Sequence, residues 1–404
     1  MEDAVENHST CEEGVQRYLY IDWLRIFAVL LLFPFHTARI FDPWPFYVKS
    51  ETVNVALVVF VLFLNQWHMH LFFFLAGAST SLALRFRSER EYVGERFRRL
   101  VVPFLFGILV IIPPQCYYRL FGDPHLVWPS DQLQFFIGGP QFNKSYLAFY
   151  PDFFNGIFPR GNFEWGHLWF LAYLFVFSRL GLPLFRYLRS GPGLRFIGKM
   201  AEFVQKPASF ISFFIPIAVI EASLRGLYPS SHNLYNDWAN FLTFGILFVY
   251  GYLFFCTPKS ILPFPKCWPL SLAIALITSA ACFGFLMPSL LQSSLTPYSR
   301  LWTVLRVLGA LSTWCWVISL MGLGKTFFDF GGRFLRYVRQ SALPIYILHQ
   351  TIIIVIGFYI LKTGVGVMSS YVIVIAASLV TSVLIYEGIR RNNMLRFFFG
   401  MKRN

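Results

Sequence analysis

Charge is scarce in this chain, and negative charge scarcest: 20 Asp and Glu stand against 34 Lys and Arg in 404 residues. A soluble domain of that length needs far more than 13% charged residues to cover its surface, so an ordinary water-exposed globule is excluded. Cysteine is sparse and scattered. Cys11, Cys116, Cys256, Cys267, Cys282 and Cys315 contain no CxxC pair, which removes both a zinc signature and a disulfide framework. The first seventeen residues are acidic (Glu2, Asp3, Glu6, Glu12, Glu13), and no small-residue cleavage pattern follows the first apolar segment. That segment is therefore expected to be retained as a helix rather than removed as a signal peptide.

What fills the space is apolar: 56% of the residues are hydrophobic and the mean hydropathy is +0.56. Ten segments are long and apolar enough to span a bilayer, at 19–41, 54–84, 100–114, 167–185, 208–224, 238–256, 268–288, 301–320, 341–361 and 370–388. The second is long enough to be kinked or tilted, and the third looks short, closed by Pro113-Pro114. With the N-terminus inside, 23 of the 34 basic residues fall in cytoplasmic segments and 7 in external ones, as the positive-inside rule requires. The net charge of +14 thus reads as topology rather than as nucleic-acid binding. The expected fold is an all-α polytopic membrane protein with about ten helices and both termini cytoplasmic. It divides into a tail at 1–17, a transmembrane domain at 18–388 with an external loop at 115–166, and a basic tail at 389–404. That loop is rich in aromatics, Pro and Gly, as in Trp128-Pro129, Gly138-Gly139-Pro140 and Phe149-Tyr150-Pro151. Such a loop suits an ordered cap over a substrate, or else an interfacial aromatic belt.

Against this apolar background the ionisable residues stand out. Arg25 and His36 share the first helix, eleven positions apart, so they project from nearly one face at about 16 Å separation along the axis. A cation within a span costs about 2.5–3.5 kcal/mol even on lenient scales, which makes such residues candidates for lining a pathway. Histidine also suits proton transfer near neutral pH, although one hydrogen-bonded between helices would look the same in sequence. Asp22 is placed by i,i+3 spacing to pair with Arg25. Arg96 and Arg99 share a helical face at i,i+3, as a phosphate clamp needs, while also fitting a positive-inside cluster. Glu164, His167 and Trp169 mark the outer start of the fourth span; Glu164 with His167 offers too few ligands for a metal. His68 and His70 point apart on their helix. His70, Glu221 and His349 lie within spans and are cavity-lining candidates. Gly324-Lys325-Thr326 lacks the earlier glycine and the strand of a phosphate loop.

These residues together resemble the acyltransferase-3 family of integral membrane acyltransferases. The likeness rests on Arg25-x10-His36, Arg96-x-x-Arg99, Gly166-His167-Leu168-Trp169-Phe170-Leu171, Tyr346-x-x-His349 and the ten-helix layout. Arg17-Tyr18-Leu19-Tyr20-Ile21-Asp22-Trp23-Leu24-Arg25 and Pro34-Phe35-His36 look similar to the branch that includes periplasmic glucan succinyltransferases. No appended soluble hydrolase-like domain is seen. The resemblance implies transfer of an acyl group, acetyl or succinyl, from cytosolic acyl-CoA to a hydroxyl of a periplasmic or cell-surface carbohydrate, at the plasma (inner) membrane. It implies Arg96, Arg99 and Arg25 as acyl-CoA-binding residues, and His36 as base or transient acyl carrier, with Arg25 beside it in the catalytic set. Glu164, His167, Trp169, Glu221, His349 and His70 would then face the acceptor. No metal and no permanently bound cofactor are expected. The partners are acyl-CoA, the carbohydrate and the bilayer. A proton-coupled transporter or flippase remains the competing reading, because the same ionisable residues would serve a pathway. No symmetry between halves of the chain supports it.

Overall fold

The computed structural model describes residues 18–121, 142–158, 160–292 and 296–402, and every regular element among them is helical. The first spans are α1 (Leu19–Ala38), then α2 (Val55–Asn65) with α3 (His68–Ala83). The next is α4 (Glu89–Arg96), a π-helical turn (Phe97–Val101), α5 (Val102–Val110) and α6 (Ile112–Leu120). A short α7 (Tyr146–Phe149) precedes α8 (Trp169–Leu180), which meets α9 (Leu182–Leu188) at a 46° bend. After α10 (Gly191–Phe203) and α11 (Pro207–Ile211) come α12 (Phe214–Leu224), α13 (Trp238–Phe254), α14 (Pro258–Ile261) and α15 (Pro263–Gln292). The chain closes with α16 (Arg300–Phe327), α17 (Arg333–Leu361), α18 (Val367–Ile389) and α19 (Asn393–Phe398).

All ten expected spans fall on helices. Eight helical stretches among the described residues are long and apolar enough to cross a membrane; the bent α8–α9 pair and the 17-residue α13 account for the other two. Exposed Ile215, Val219, Ile277, Val372 and Leu384 form the outward apolar surface that a bilayer covers. The protein is a multi-pass membrane protein.

One expected boundary needs correction. The third span does not end at Pro113-Pro114: it runs from Glu89 to Leu120, because the two prolines occupy the first turn of α6, where a missing N–H costs nothing. The first residues of the expected external loop, 115–120, accordingly continue α6 as helix. The expected tails at 1–17 and the loop's Trp128-Pro129 and Gly138-Gly139-Pro140 lie outside the described residues. At the other end, α19, within the expected basic tail, packs on α5.

The second span is broken, as its length suggested. Gln66 and Trp67 interrupt it, and the Gln66 carbonyl freed from the helix accepts from Thr313 Oγ1 at 2.6 Å. Its side-chain Oε1 accepts from Ser279 and Ser312 at 2.7 and 3.0 Å, so α15 and α16 satisfy both oxygens of Gln66 at the break. α3 and α13 approach closely. A Cβ at Gly77 would stand 1.9 Å from the Phe248 carbonyl oxygen, and one at Gly251 2.0 Å from that of Phe74. Two small residues thus let the backbones touch, a common basis for helix association in lipid.

Candidate active site

The helices enclose a cavity of about 1400 Å³, lined in part by residues 163–167 and by the 229–236 segment. His36 projects into its wall from the last turn of α1, two residues after the in-helix Pro34. Its Nδ1 is buried without a hydrogen-bond partner, and Phe46 stacks on the ring at 6.0 Å between centroids. His349 stands behind it with ring centroids 5.1 Å apart. The His349 Nδ1–H donates to the Tyr346 carbonyl, which leaves Nε2 as a buried acceptor with no partner.

His167 is 5.0 Å from His349 but differently employed. Its Nε2–H donates to the Ile347 carbonyl at 3.0 Å, and its Nδ1 accepts from Gln115 Nε2 at 3.3 Å. Both nitrogens are engaged, so this ring pins the start of α8 to α17 and α6. Gly166 just before it has φ +48°, and a Cβ there would stand 2.9 Å from Ile112 Cδ1 and 3.1 Å from the Tyr47 hydroxyl. Only glycine fits that approach comfortably. The Glu164 carboxylate accepts from Arg119 at 2.6 Å in a nearly buried pair.

A second lobe of the cavity is lined from α12, α13 and α16. Arg225 grips Glu221 with two hydrogen bonds, at 2.6 and 2.9 Å, and reaches Asn240 Oδ1 at 2.7 Å. Three buried donor or acceptor atoms here lack partners: Arg225 Nη1, Arg306 Nε and His70 Nδ1. His232 lies over Trp169 at 4.4 Å. Burial holds the His232 ring below the usual histidine range; Asp237 opposes this, and Arg225 and Arg39 add to it.

At the opposite end of α1, Arg25 donates to Asp22 at 3.0 Å and to Ser79 at 2.6 Å. The expected Asp22 partnership is therefore made. Arg25 lies within electrostatic range of Arg96 and Arg99, and Arg339 approaches Asp22 at 3.6 Å. Arg96 lies over the Tyr92 ring at 4.9 Å with Nε buried and unpartnered; Arg99 is half-exposed beside Glu95.

The acyltransferase-3 family model, described as an acyltransferase domain, matches residues 18–387. The chain belongs to the acyltransferase-3 family. This acyltransferase is similar to glucans biosynthesis protein C of Escherichia coli, at 24% identity over 406 residues, covering 96% of this chain and 95% of the relative. The protein of the same name from Shigella dysenteriae serotype 1 is equally similar, at 24% over 406 residues and the same coverage. No solved structure matches.

Within this acyltransferase the residues singled out in sequence divide into two groups. His36, His70, Glu164, His167, Trp169 and Glu221 all line the cavity, with His349 directly behind His36. Arg25, Arg96 and Arg99 gather at the far end of α1. The two groups are not joined by an open channel among the described residues. Arg25 is absent from the cavity wall, and buried Leu24, Ala28, Leu71, Phe72 and Leu75 pack between. His68 closes the floor, with Nε2–H donating to the Ala28 carbonyl at 2.7 Å. Arg96 and Arg99 also do not share a regular α-helical face, because the π-helical turn begins between them and widens their angular separation. Arg225, Arg306, His232 and Tyr47 were missed. Arg306, a cation inside a span, carried the signal that would have found it.

Proposed function

We propose that this enzyme transfers an acyl group, acetyl or succinyl, from cytosolic acyl-CoA to a hydroxyl of a periplasmic or cell-surface carbohydrate, from a seat in the plasma (inner) membrane. The observation that carries the reading is His36. It is an unpartnered imidazole in the wall of a large cavity, one helix away from a cationic cluster at the other membrane face. The family membership supports acyl transfer, and the name of the glucans biosynthesis relatives supports a carbohydrate acceptor.

Both termini and the Arg25–Arg96–Arg99 cluster face the cytoplasm in this reading, in keeping with the positive-inside rule. The cluster receives the CoA phosphates, where charge-assisted hydrogen bonds are strong. The pantetheine arm spans the roughly 16 Å of α1 toward His36, which requires the packed layer above Arg25 to part. The acceptor enters from the opposite side, over Trp169 and His232 and against the free donors of Arg225 and Arg306. Its hydroxyl gives a proton to the His36 ring as the oxygen attacks the thioester carbonyl. The C–O bond forms and the C–S bond breaks; the proton then passes from the imidazolium to the departing CoA thiolate. His349, held in one tautomer by the Tyr346 carbonyl, positions His36. General-base assistance contributes about 10²–10⁴-fold to rate, so His36→Ala should lower transfer from labelled acyl-CoA in membranes by at least about a hundredfold. Undiminished transfer by normally folded variant would remove His36 from the chemistry.

A further inference from the structure

A second basic pocket borders the Arg25 cluster, since Arg339, one turn from Arg336, approaches Asp22 at 3.6 Å, but Arg25, Arg96 and Arg99 do not line it. Its volume is about 280 Å³, and Arg333, Arg336, Tyr337, Gln340, Arg390 and Arg396 line it. The four residues from α17 recur at i, i+3, i+4 and i+7, which places them on one face of the first two turns. Arg390 comes from the end of α18 and Arg396 from α19. We propose that this pocket binds the phosphate headgroup of an anionic phospholipid.

The charge balance points to an anion. Four guanidinium groups converge, and the neighbouring carboxylate, Glu387, is already used: its Oε1 accepts from Tyr337 at 2.7 Å and from Arg390 at 3.0 Å. Arg396 is 9% exposed and donates to the Lys402 and Arg390 carbonyls at 2.7 and 3.1 Å. No carboxylate pairs with Arg333, Arg336 or Arg396 among the described residues. The pocket is therefore a prebuilt cationic cup with one wall fixed by backbone contacts. The N-terminus of the 29-residue α17 opens beside it with no side-chain cap at Gly332, adding unpaired N–H groups of the same preference.

The surroundings select an amphiphile. Phe334, next to Arg333, and Leu384, one turn before Glu387, are mostly exposed apolar side chains. Val380 and Val372 continue that outward face of α18. A phosphate in the cup thus has acyl-chain contacts directly alongside, which a free nucleotide or inorganic anion would not use. Basic pockets between helices at a membrane surface suit such headgroups.

The test is native mass spectrometry of the full chain from micelles doped with phosphatidylglycerol or phosphatidylcholine, with Arg333→Gln/Arg336→Gln as the variant. Both side chains are exposed, so folding should survive; Arg333→Lys/Arg336→Lys serves as the charge-conserving control. The proposal expects phosphatidylglycerol retained over phosphatidylcholine, at least tenfold weaker retention in the Gln variant, and recovery in the Lys variant. Equal retention of the two lipids, or no effect of the Gln variant, overturns it. Displacement of bound phosphatidylglycerol by millimolar inorganic phosphate or CoA would make the cup a soluble-anion site and overturn the lipid assignment. The inference stands apart from the acyl-transfer reading, since His36→Ala should leave lipid retention unchanged.

Discussion

Arg96 and Arg99 converge on Arg25 from different directions, one held over Tyr92 and the other half-exposed beside Glu95. If they grip phosphates, Arg96→Gln with Arg99→Gln should weaken acyl-CoA binding by about ten- to hundredfold, measured by thermophoresis on purified protein. Unchanged affinity would reduce the cluster to a topology signal. His232 offers a pH test outside the spans. Its pKa is depressed in the fold, so its contribution is intact above the unfolded value near 6.5 and is lost as pH falls from there toward the folded one. Wild-type Tm should therefore drop more between about pH 6.5 and 5.0 than that of His232→Asn. Asn tolerates the left-handed φ of +51° found there. Parallel curves would contradict the linkage. At this scale the sequence was informative where spacing alone decides contact, as with Asp22 and Arg25. It was silent where contact is made across helices. Arg225 looked like a loop charge, yet it grips Glu221 and faces the cavity.

The contact between α3 and α13 depends on two absent side chains. Gly77→Ala or Gly251→Ala must push a methyl into a carbonyl oxygen about 2 Å away, and overpacking of this kind costs about 1–3 kcal/mol. Either variant should lower the melting temperature measured by fluorescence-detected size exclusion. Gly94→Ala, with nothing within 4 Å, should raise it or leave it alone. Destabilisation of Gly94→Ala equal to the other two would overturn the contact argument, because helix propensity alone favours alanine at all three positions. Hydropathy made all ten spans legible, because a bilayer imposes length and composition on each. Their internal punctuation was less so. Pro113-Pro114 reads equally as a stop or as a first turn, and the π-helical turn at Phe97–Val101 has no signature in residue types.

The chain as a whole places a polar cavity and a cationic cluster at opposite ends of α1, with apolar packing between them. Residue patterns marked both ends, while the closure between them emerged only from how α1 and α3 pack. That closure has a physiological meaning beyond acyl transfer. A membrane enzyme that admits water deep from one side must still act as an insulator, or it would short-circuit the ion gradients the cell maintains. His68, bonded to the Ala28 carbonyl at the cavity floor, is placed where a breach would open. Liposomes carrying the wild-type protein and a trapped pH dye should hold a proton gradient, and His68→Gly should dissipate it several-fold faster. Equal decay would move the seal elsewhere. In the proposed reaction, a bulky thioester crossing the seam beneath His36 would carry a transient risk of proton leak, which a tight seam limits.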